Sequence, residues 1–402
     1  MKILYVSSLC SERLNIDLFD RGIGVFNFAA QKFHRLVTKG LAKNGADVCA
    51  LSSIFLTKTA RKLCCFPKEY EGGVCFKYIP SINFFIFRHV CLFAYAFLYT
   101  FFWGLKRKSE KTAIIDIQQI SICMGSLFAC KFIGLKNVGI VMDLPGLMIT
   151  DNTKCSFVKK EIKKISSLIC RMYLKSFSAY VFLTEAMNDV VNIYNRPYMI
   201  MEGLVDSDCA VLKNEITSKA NEKIVLYAGG LFEQYGMDLL VKAFMRLPML
   251  DARLVLYGNG SYVEKIKKYA KEDSRIVYKG VRSNEEVVKD EISATLLVNP
   301  RPTTEMFTKY SFPSKNMEYM VSGTPLLTTK LPGMPQEYYP YVYMFDEETV
   351  DGFAKSLSKV LSSSLDQLCQ KGKDAQNFVL AYKNNVIQGR RIIEFVKNEL
   401  QL

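Results

Sequence analysis

Short apolar runs alternate with amphipathic helical stretches along the chain. Ile3–Ser7 is typical of a buried β-strand, and the residues from about Val25 to Lys43 place their apolar side chains on one helical stripe. Asn44-Gly45 provides a helix C-cap, and Val48–Leu51 predicts the next strand. The order strand, helix, strand predicts a βαβ unit, and such units form parallel sheets.

The same alternation stops in the polar segment Asp206–Glu222 and then restarts. Ile224–Tyr227 predicts a strand, a glycine loop follows, and Asp238–Arg246 predicts a helix. The chain is therefore expected to be an α/β protein with two Rossmann-like halves. The predicted segments are an N-terminal domain (1–205), a linker (206–222), a C-terminal domain (223–373) and a C-terminal helix that packs back on the first domain (374–402).

One segment departs from this pattern. Val90–Leu105 contains no charged residue, and Lys106-Arg107-Lys108 follows it directly. A helix that spans a bilayer needs about 20 apolar residues. Arg88 and His89 are expected to stop the apolar helix of this segment from extending toward the N-terminus. Two interpretations remain open: a core helix of the first domain, or a helix that places aromatic side chains in a membrane surface with the basic triplet on the headgroups.

Charge and cysteine content limit the kinds of partner, metal site and compartment that are expected for this chain. Residues 1–202 contain 27 Lys/Arg against 14 Asp/Glu, whereas the remainder contains 26 against 25. The basic half favours an anionic partner: phospholipid headgroups, a pyrophosphate-linked substrate or nucleic acid, of which the last lacks any module signature. The 12 cysteines form no CxxC pair and there are only 2 histidines, so we expect no metal site. Free cysteines in apolar segments suit a reducing cytosol, and the strand at the start of the chain does not resemble a signal peptide.

The stretch Val298–Pro325, VNPRPTTEMFTKYSFPSKNMEYMVSGTP, holds the most specific chemistry. Its first residue ends a predicted strand, so the loop lies at the carboxyl edge of a sheet, where open α/β folds bind ligands. Ser314 is expected to cap a helix whose N-terminus attracts anions. Lys315 would add positive charge beside a diphosphate, and the Glu318 carboxylate could accept two ribose hydroxyls.

These residues resemble the GT4 family of retaining glycosyltransferases, also called glycosyltransferase group 1. The FPSK…EY…SGTP pattern carries the resemblance, and the GIG and LAKNGADV segments of the first half add a weaker match. The resemblance implies a GT-B fold, in which two Rossmann-like domains face each other across a cleft. It also implies a nucleotide-sugar bound mainly by the second domain, an acceptor bound mainly by the first, and no cofactor or obligatory metal.

The sequence departs from the family pattern at three positions. The carboxylate that the family commonly has eight residues before Glu318 is replaced by Tyr310. The arginine and lysine of the family's diphosphate motif correspond to Gly230 and Tyr235. Two cations and one acid are thus missing where the commonest members have them.

Arg301 and Lys315 flank the same loop and are hypothesised to replace the lost charge, because a guanidinium binds phosphate in a bidentate manner. Asp143 follows a predicted strand and is a catalytic candidate together with Glu318; the alternative for Asp143 is a turn-forming role before proline. For the first-domain glycines of the donor set, the alternative is a plain tight turn. The expected donor-binding residues are Gly22, Gly24, Gly230, Arg301, Tyr310, Ser314, Lys315 and Glu318.

The predicted function is transfer of a sugar from a UDP- or GDP-sugar to a glycan or a polyprenyl-diphosphate-linked acceptor in surface polysaccharide biosynthesis, such as that of capsule or lipopolysaccharide. We expect a cytoplasmic location, with peripheral attachment to the inner membrane left open. One alternative keeps the fold but isomerises the donor, as nucleotide-sugar epimerases do. A second alternative is a catalytically degenerate scaffold of a glycan-assembly complex, which the missing cations and acid favour.

Overall fold

The computed structural model divides the chain into two compact units. One consists of Met1–Asp206 together with Asn385–Leu402, and the other of Ser207–Asn384. The chain therefore passes from one unit to the other twice. The residues that the structure describes are 1–24, 28–57, 60, 63–82, 84–105, 110–144, 173–209 and 222–401.

The first unit is built on an eight-stranded sheet with strand order β10-β9-β8-β7-β1-β2-β5-β4. Neighbouring strands pair in parallel, except that β4 is antiparallel to β5. Its central strands are buried along nearly their whole length, as expected when both faces of a parallel sheet are covered. The strands of this unit, of which β3 and β6 form a separate pair, are β1 (Lys2–Ser7), β2 (Asp47–Ser53), β3 (Leu63–Cys64), β4 (Glu69–Glu71), β5 (Val74–Ile79), β6 (Ser81–Ile82), β7 (Lys111–Asp116), β8 (Asn137–Val141), β9 (Ala179–Phe182) and β10 (Tyr198–Ile200).

Helices connect these strands. Up to residue 206 the described helices are α1 (Glu12–Asp20), α2 (Phe28–Lys43), α3 (Phe85–Leu105), α4 (Ile120–Ile133) and α5 (Glu185–Val191). Helices α3 and α4 pack closely because two glycines allow it: a Cβ on Gly125 would lie 2.3 Å from the Phe93 carbonyl oxygen, and one on Gly104 would lie 2.1 Å from Ile133.

The expected start of α3 was wrong. The helix begins at Phe85, and Arg88 and His89 lie within it. The Arg88 guanidinium lies 4.7 Å from the centre of the Phe55 ring, and His89 Nδ1 lies 2.8 Å from the Ser121 hydroxyl. Both polar side chains thus find partners on neighbouring segments. Among the described helices, α3 included, none has the combination of length and apolar composition that crossing a bilayer requires.

The second unit contains a six-stranded, all-parallel sheet with strand order β13-β12-β11-β14-β15-β16. The strands are β11 (Lys223–Ala228), β12 (Ala252–Tyr257), β13 (Ile276–Gly280), β14 (Leu296–Asn299), β15 (Leu326–Thr328) and β16 (Tyr343–Met344). The helices are α6 (Met237–Met245), α7 (Val263–Glu272), α8 (Asn284–Ser293), α9 (Ser314–Val321), α10 (Val350–Leu361) and α11 (Leu365–Tyr382). The order along this sheet reverses between β11 and β14, and along the first sheet it reverses between β1 and β7.

The last helix, α12 (Asn385–Leu400), belongs to the first unit. It packs on α2 so tightly that a Cβ on Gly40 would lie 1.9 Å from the Asn385 carbonyl oxygen, and one on Gly389 would lie 2.4 Å from the Gly40 carbonyl carbon. Helix α11 runs without interruption through residue 374, so the chain leaves the second unit only after Asn384.

Candidate functional site

The residues that the sequence singled out in the second unit follow β11 and β14. These are the two strands between which the strand order reverses. Ligands of open α/β sheets bind at the carboxyl ends of strands at such a reversal. The loop after β11 contains Gly230, and the loop after β14 contains Arg301 and Tyr310 and leads into α9. The topology therefore brings the predicted donor residues of this unit to one edge of the sheet.

The two loops are in backbone contact. Gly236 has a φ of +82°, and a Cβ at this position would lie 1.9 Å from the carbonyl oxygen of Pro300. Only glycine combines this conformation with this approach. The Tyr227 hydroxyl, at the end of β11, donates a hydrogen bond of 2.9 Å to the Gly230 carbonyl. The loops are thus fixed to each other and to the sheet.

Arg301 lies on the aromatic side chains of these loops. Its guanidinium carbon is 4.8 Å from the centre of the Tyr235 ring and 5.3 Å from that of Phe307, distances typical of cation–π contacts. The Thr329 hydroxyl donates to the Arg301 carbonyl at 2.5 Å. Burial raises the pKa of Tyr227, and the positive charge of Arg301 opposes that rise. A cation therefore lies on Tyr235, one of the two positions where the family pattern has its own cations.

Helix α9 begins at Ser314, but the capping residue is Pro313, and the expectation that Ser314 caps the helix was wrong. Ser314 is exposed in the first turn of the helix. The first N–H groups of a helix have no partner within it, and its dipole favours an anion there. Lys315 Nζ lies 3.2 Å from Glu318 Oε2, one turn further on, and both side chains are partly exposed.

Two buried contacts that the sequence did not indicate hold α9 against the sheet. The Tyr319 hydroxyl accepts a hydrogen bond from the Ala228 N–H at 2.8 Å and lies 3.2 Å from the Ala228 carbonyl. Asn299, the last residue of β14, donates to the Asn316 side chain at 2.7 Å. Because Ala228 ends β11, these contacts set the helix N-terminus against the carboxyl ends of both strands. A buried tyrosine next to the candidate carboxylate is the signal that could have pointed to this role.

We expect Tyr319→Phe to destabilise the second unit by about 1–3 kcal/mol, because the buried Ala228 N–H loses its acceptor. The free energy of unfolding, measured in denaturant, checks this. Tyr269→Phe is the control, since that hydroxyl makes none of these bonds. Equal stability of the two variants would mean that Tyr319 does not anchor the helix.

Tyr310 ends a short 3₁₀ turn (Met306–Lys309) and is half-buried. Lys309 Nζ lies 5.8 Å from the centre of its ring. The same loop is held from another side by Glu348, whose carboxylate accepts from the Thr303 N–H at 2.9 Å and 3.1 Å. Glu348 is a further residue that the sequence alone did not single out, because it lies 45 residues away along the chain.

Gly22, Gly24 and Asp143 belong to the first unit and are not part of this loop cluster. Gly22 has a φ of +63° with open space where a Cβ would be, and Gly24 forms an isolated bridge with Leu56. Asp143 is half-buried two residues after β8, while the Pro145-Gly146 pair used to predict its role lies outside the described residues. The basic triplet Lys106-Arg107-Lys108 also lies outside them.

A buried polar network fills the point where the first sheet reverses its order. The Tyr5 hydroxyl lies 2.6 Å from His34 Nδ1, and His34 Nε2 faces the Asp116 carboxylate at 3.4 Å. Burial, followed by the nearby charge of Asp116, raises the pKa of Tyr5 well above its usual value. All three side chains are inaccessible to solvent, so this network is structural. Across the described ranges no three His, Cys, Asp or Glu side chains are grouped so that they could hold a metal ion.

Similarity to known proteins agrees with this architecture. Residues 210–377 match the family described as glycosyl transferases group 1. A sucrose-phosphate synthase from Thermosynechococcus elongatus superposes with a TM-score of 0.67 at 13% identity, over 100% of both chains. The Anabaena protein HepE in complex with UDP superposes with a TM-score of 0.61 at 12% identity, over 99% of this chain and 100% of that chain.

A third similar structure is the lipopolysaccharide outer core galactosyltransferase WaaB, with a TM-score of 0.59 at 13% identity over 99% of both chains. No curated protein matches the sequence at a significant level. At these identities the structural matches establish the fold, and the family match covers most of the second unit. The second unit therefore belongs to the glycosyl transferases group 1, the GT4 family of nucleotide-sugar glycosyltransferases, and the chain as a whole has the GT-B fold.

Proposed function

We propose that the enzyme transfers a hexose from a UDP- or GDP-sugar to a glycan or a polyprenyl-diphosphate-linked acceptor in surface polysaccharide biosynthesis, with retention at the anomeric carbon. The observation that carries the donor part is the position of Arg301. The loop after β11 lacks the family's arginine and lysine, and the Arg301 guanidinium lies on the ring of Tyr235, which occupies the lysine position.

The donor would place its diphosphate between Arg301 and the N-terminus of α9. Cleavage of the bond to the sugar leaves negative charge on the diphosphate, and preorganised donors stabilise such developing charge most effectively. The N–H groups of the helix N-terminus and the guanidinium would stabilise this charge by hydrogen bonds, without a metal ion. Lys315, in the same first turn, would add a second positive charge.

Glu318 would bind the ribose of the nucleotide. Its two carboxylate oxygens can accept hydrogen bonds from neighbouring hydroxyls, and it lies one helical turn from the expected diphosphate position. In the structure it pairs with Lys315 at 3.2 Å. Because both side chains are partly exposed, this pair contributes little and would open readily for a ligand.

UDP is the first nucleotide to test, because the similar HepE structure was determined with UDP. A WaaB-like role in lipopolysaccharide assembly would fit the acceptor class proposed here. The excess of basic residues in the first 202 positions also suits an acceptor that carries a pyrophosphate at a lipid surface.

The experiment is a donor panel of UDP- and GDP-hexoses, with product formation and slow donor hydrolysis followed by mass spectrometry. We expect one nucleotide class to be used. Glu318→Gln should raise the donor KM about 10-fold or more, because an amide presents one acceptor oxygen where the carboxylate presents two. Glu264→Gln, on an exposed helix of the same unit, is the matched control.

Three results would contradict the proposal. Conversion of the donor to an epimer without transfer would favour the isomerase alternative. Absence of any nucleotide binding in calorimetry would favour a non-catalytic scaffold. An unchanged donor KM in Glu318→Gln would remove this carboxylate from the site.

A further inference from the structure

Helices α3 and α4 expose a continuous apolar surface on the first unit. Six of its side chains are between 46% and 73% exposed to solvent. We name this surface the α3–α4 face; its members are Phe87, Val90, Leu98, Phe102, Phe128 and Phe132. A helix face that contacts water normally carries charged residues, so an uninterrupted apolar stripe indicates a partner.

The two helices contribute to one surface, not to two. The rings of Phe93 and Phe128 are 5.9 Å apart, and those of Phe97 and Phe132 are also 5.9 Å apart, in both pairs edge to face. On α3 the exposed residues recur three or four positions apart, or at multiples of a turn, which keeps them on one side. The opposite side of α3 is buried through Leu92, Ala96 and Thr100. Among the described residues, folding of the unit therefore buries one side of α3 and leaves side chains of the other side exposed.

An apolar groove lies along the same helix. It has a volume of about 360 Å³ and is lined by Tyr95, Leu98, Tyr99, Phe102 and Trp103. Lys77 borders it, with Nζ 5.1 Å from the centre of the Tyr99 ring. Lys111, 5.0 Å from the centre of the Trp103 ring, is buried and donates to the Trp103 carbonyl. An apolar aromatic groove with an amphipathic lysine beside it is the arrangement found at the boundary between acyl chains and headgroups.

A cluster of positive charge adjoins the end of α4. A cavity of about 520 Å³ is lined by Lys131, Lys136, Lys175 and Arg196. Lys131 is the neighbour of Phe132 in the last turn of the helix. Within the described part of the chain, none of the four cations forms an ion pair with a carboxylate. Lys131 compensates the α4 C-terminal dipole, which accounts for one of these charges.

We propose that the α3–α4 face docks this enzyme on an anionic lipid bilayer, with its aromatic side chains at the level of the upper acyl chains and the four-cation cluster on lipid phosphates. Hydrophobic burial and headgroup attraction then act at adjacent sites on one surface, the combination that gives stable but reversible attachment. A second copy of the chain fits less well, because two strongly basic halves would repel each other. This inference concerns attachment alone and does not depend on the donor proposal.

The test is flotation of the full chain with vesicles of phosphatidylcholine alone or mixed with phosphatidylglycerol. We expect binding to the anionic vesicles only, weakened by high salt. The apolar variant replaces Leu98, Phe102 and Phe132 by Ser, and the charge variant replaces Lys131, Lys175 and Arg196 by Gln. Each should reduce the partition coefficient at least about 10-fold, because each side chain adds to the transfer free energy. These positions are exposed, so the fold should tolerate the changes.

Matched controls come from the second unit. Leu250→Ser with Val281→Ser removes exposed apolar side chains there, and Lys268→Gln with Lys355→Gln removes exposed charges. Both control variants should float like the wild type. Arg301→Ala should also float normally, which separates a failure of donor binding from a failure of attachment.

Three results would overturn the inference. One is an absence of binding to anionic vesicles. Another is binding that the apolar and charge variants leave unchanged. The third is concentration-dependent dimerisation in solution that the apolar variant abolishes, which would assign the α3–α4 face to a second copy of the chain.

Discussion

Arg301→Ala is expected to lower kcat/KM for sugar transfer by about 100- to 1,000-fold, the usual cost of removing one preorganised donor from developing negative charge. The effect should be large because the neighbouring loop offers no substitute: Gly230 has no side chain and Tyr235 has no charge. Steady-state kinetics with the preferred donor, together with calorimetry of nucleotide diphosphate binding, measure the loss.

Two variants make this result specific. Arg301→Lys keeps the charge but loses the planar fork, so it should recover only part of the activity. Arg282→Ala removes an exposed arginine of the same unit and should leave the kinetics unchanged. If Arg301→Ala had wild-type kinetics, the diphosphate would have to be held by α9 and Lys315 alone.

Gly40→Ala is expected to destabilise the first unit by about 3 kcal/mol, the upper end of the usual cost of overpacking. At a solvent-exposed position in the middle of a helix, a change from glycine to alanine would instead stabilise the protein by about 1 kcal/mol. Here a Cβ would lie 1.9 Å from the Asn385 carbonyl oxygen, so α12 would have to move away from α2. Denaturant unfolding followed by far-ultraviolet circular dichroism gives the free energy of unfolding.

Gly45→Ala provides the matched control, because Gly45 has a φ of +80° but nothing within 4 Å of its Cβ position. It should cost only about 1–2 kcal/mol, the backbone strain of an L-residue in this conformation. A stabilised Gly40→Ala variant would show that α12 is free to separate from α2.

The sequence predicted those parts of the fold that local patterns encode. Two α/β halves followed from the repeated order of strand, glycine turn and helix, since each element buries an apolar face of its own period. The loop that leads into α9 followed from proline, serine and glycine at fixed spacing. The start of α3 could not be predicted in this way, because Arg88 and His89 are accommodated by Phe55 and Ser121, which lie elsewhere in the chain.

Most of the candidate site depends on contacts between distant segments. Arg301 was selected for its charge, but its position on Tyr235 follows from the contact between Gly236 and Pro300, which no local pattern reports. Tyr319 is an ordinary apolar-face residue in the sequence and becomes an anchor only through Ala228, 91 residues earlier. The catalytic roles predicted for Asp143 and Glu318 stay predictions that the experiments above address.

The return of α12 to the first unit has a consequence for biogenesis. The second unit is one uninterrupted stretch, whereas the first is completed only by residues that follow it. On the ribosome, the later unit can therefore close while the earlier one still waits for its final helix, reversing the usual N-terminal-first order. During that interval the surface of α2 around Gly40 is not yet covered by α12, so nascent-chain chaperones can bind it.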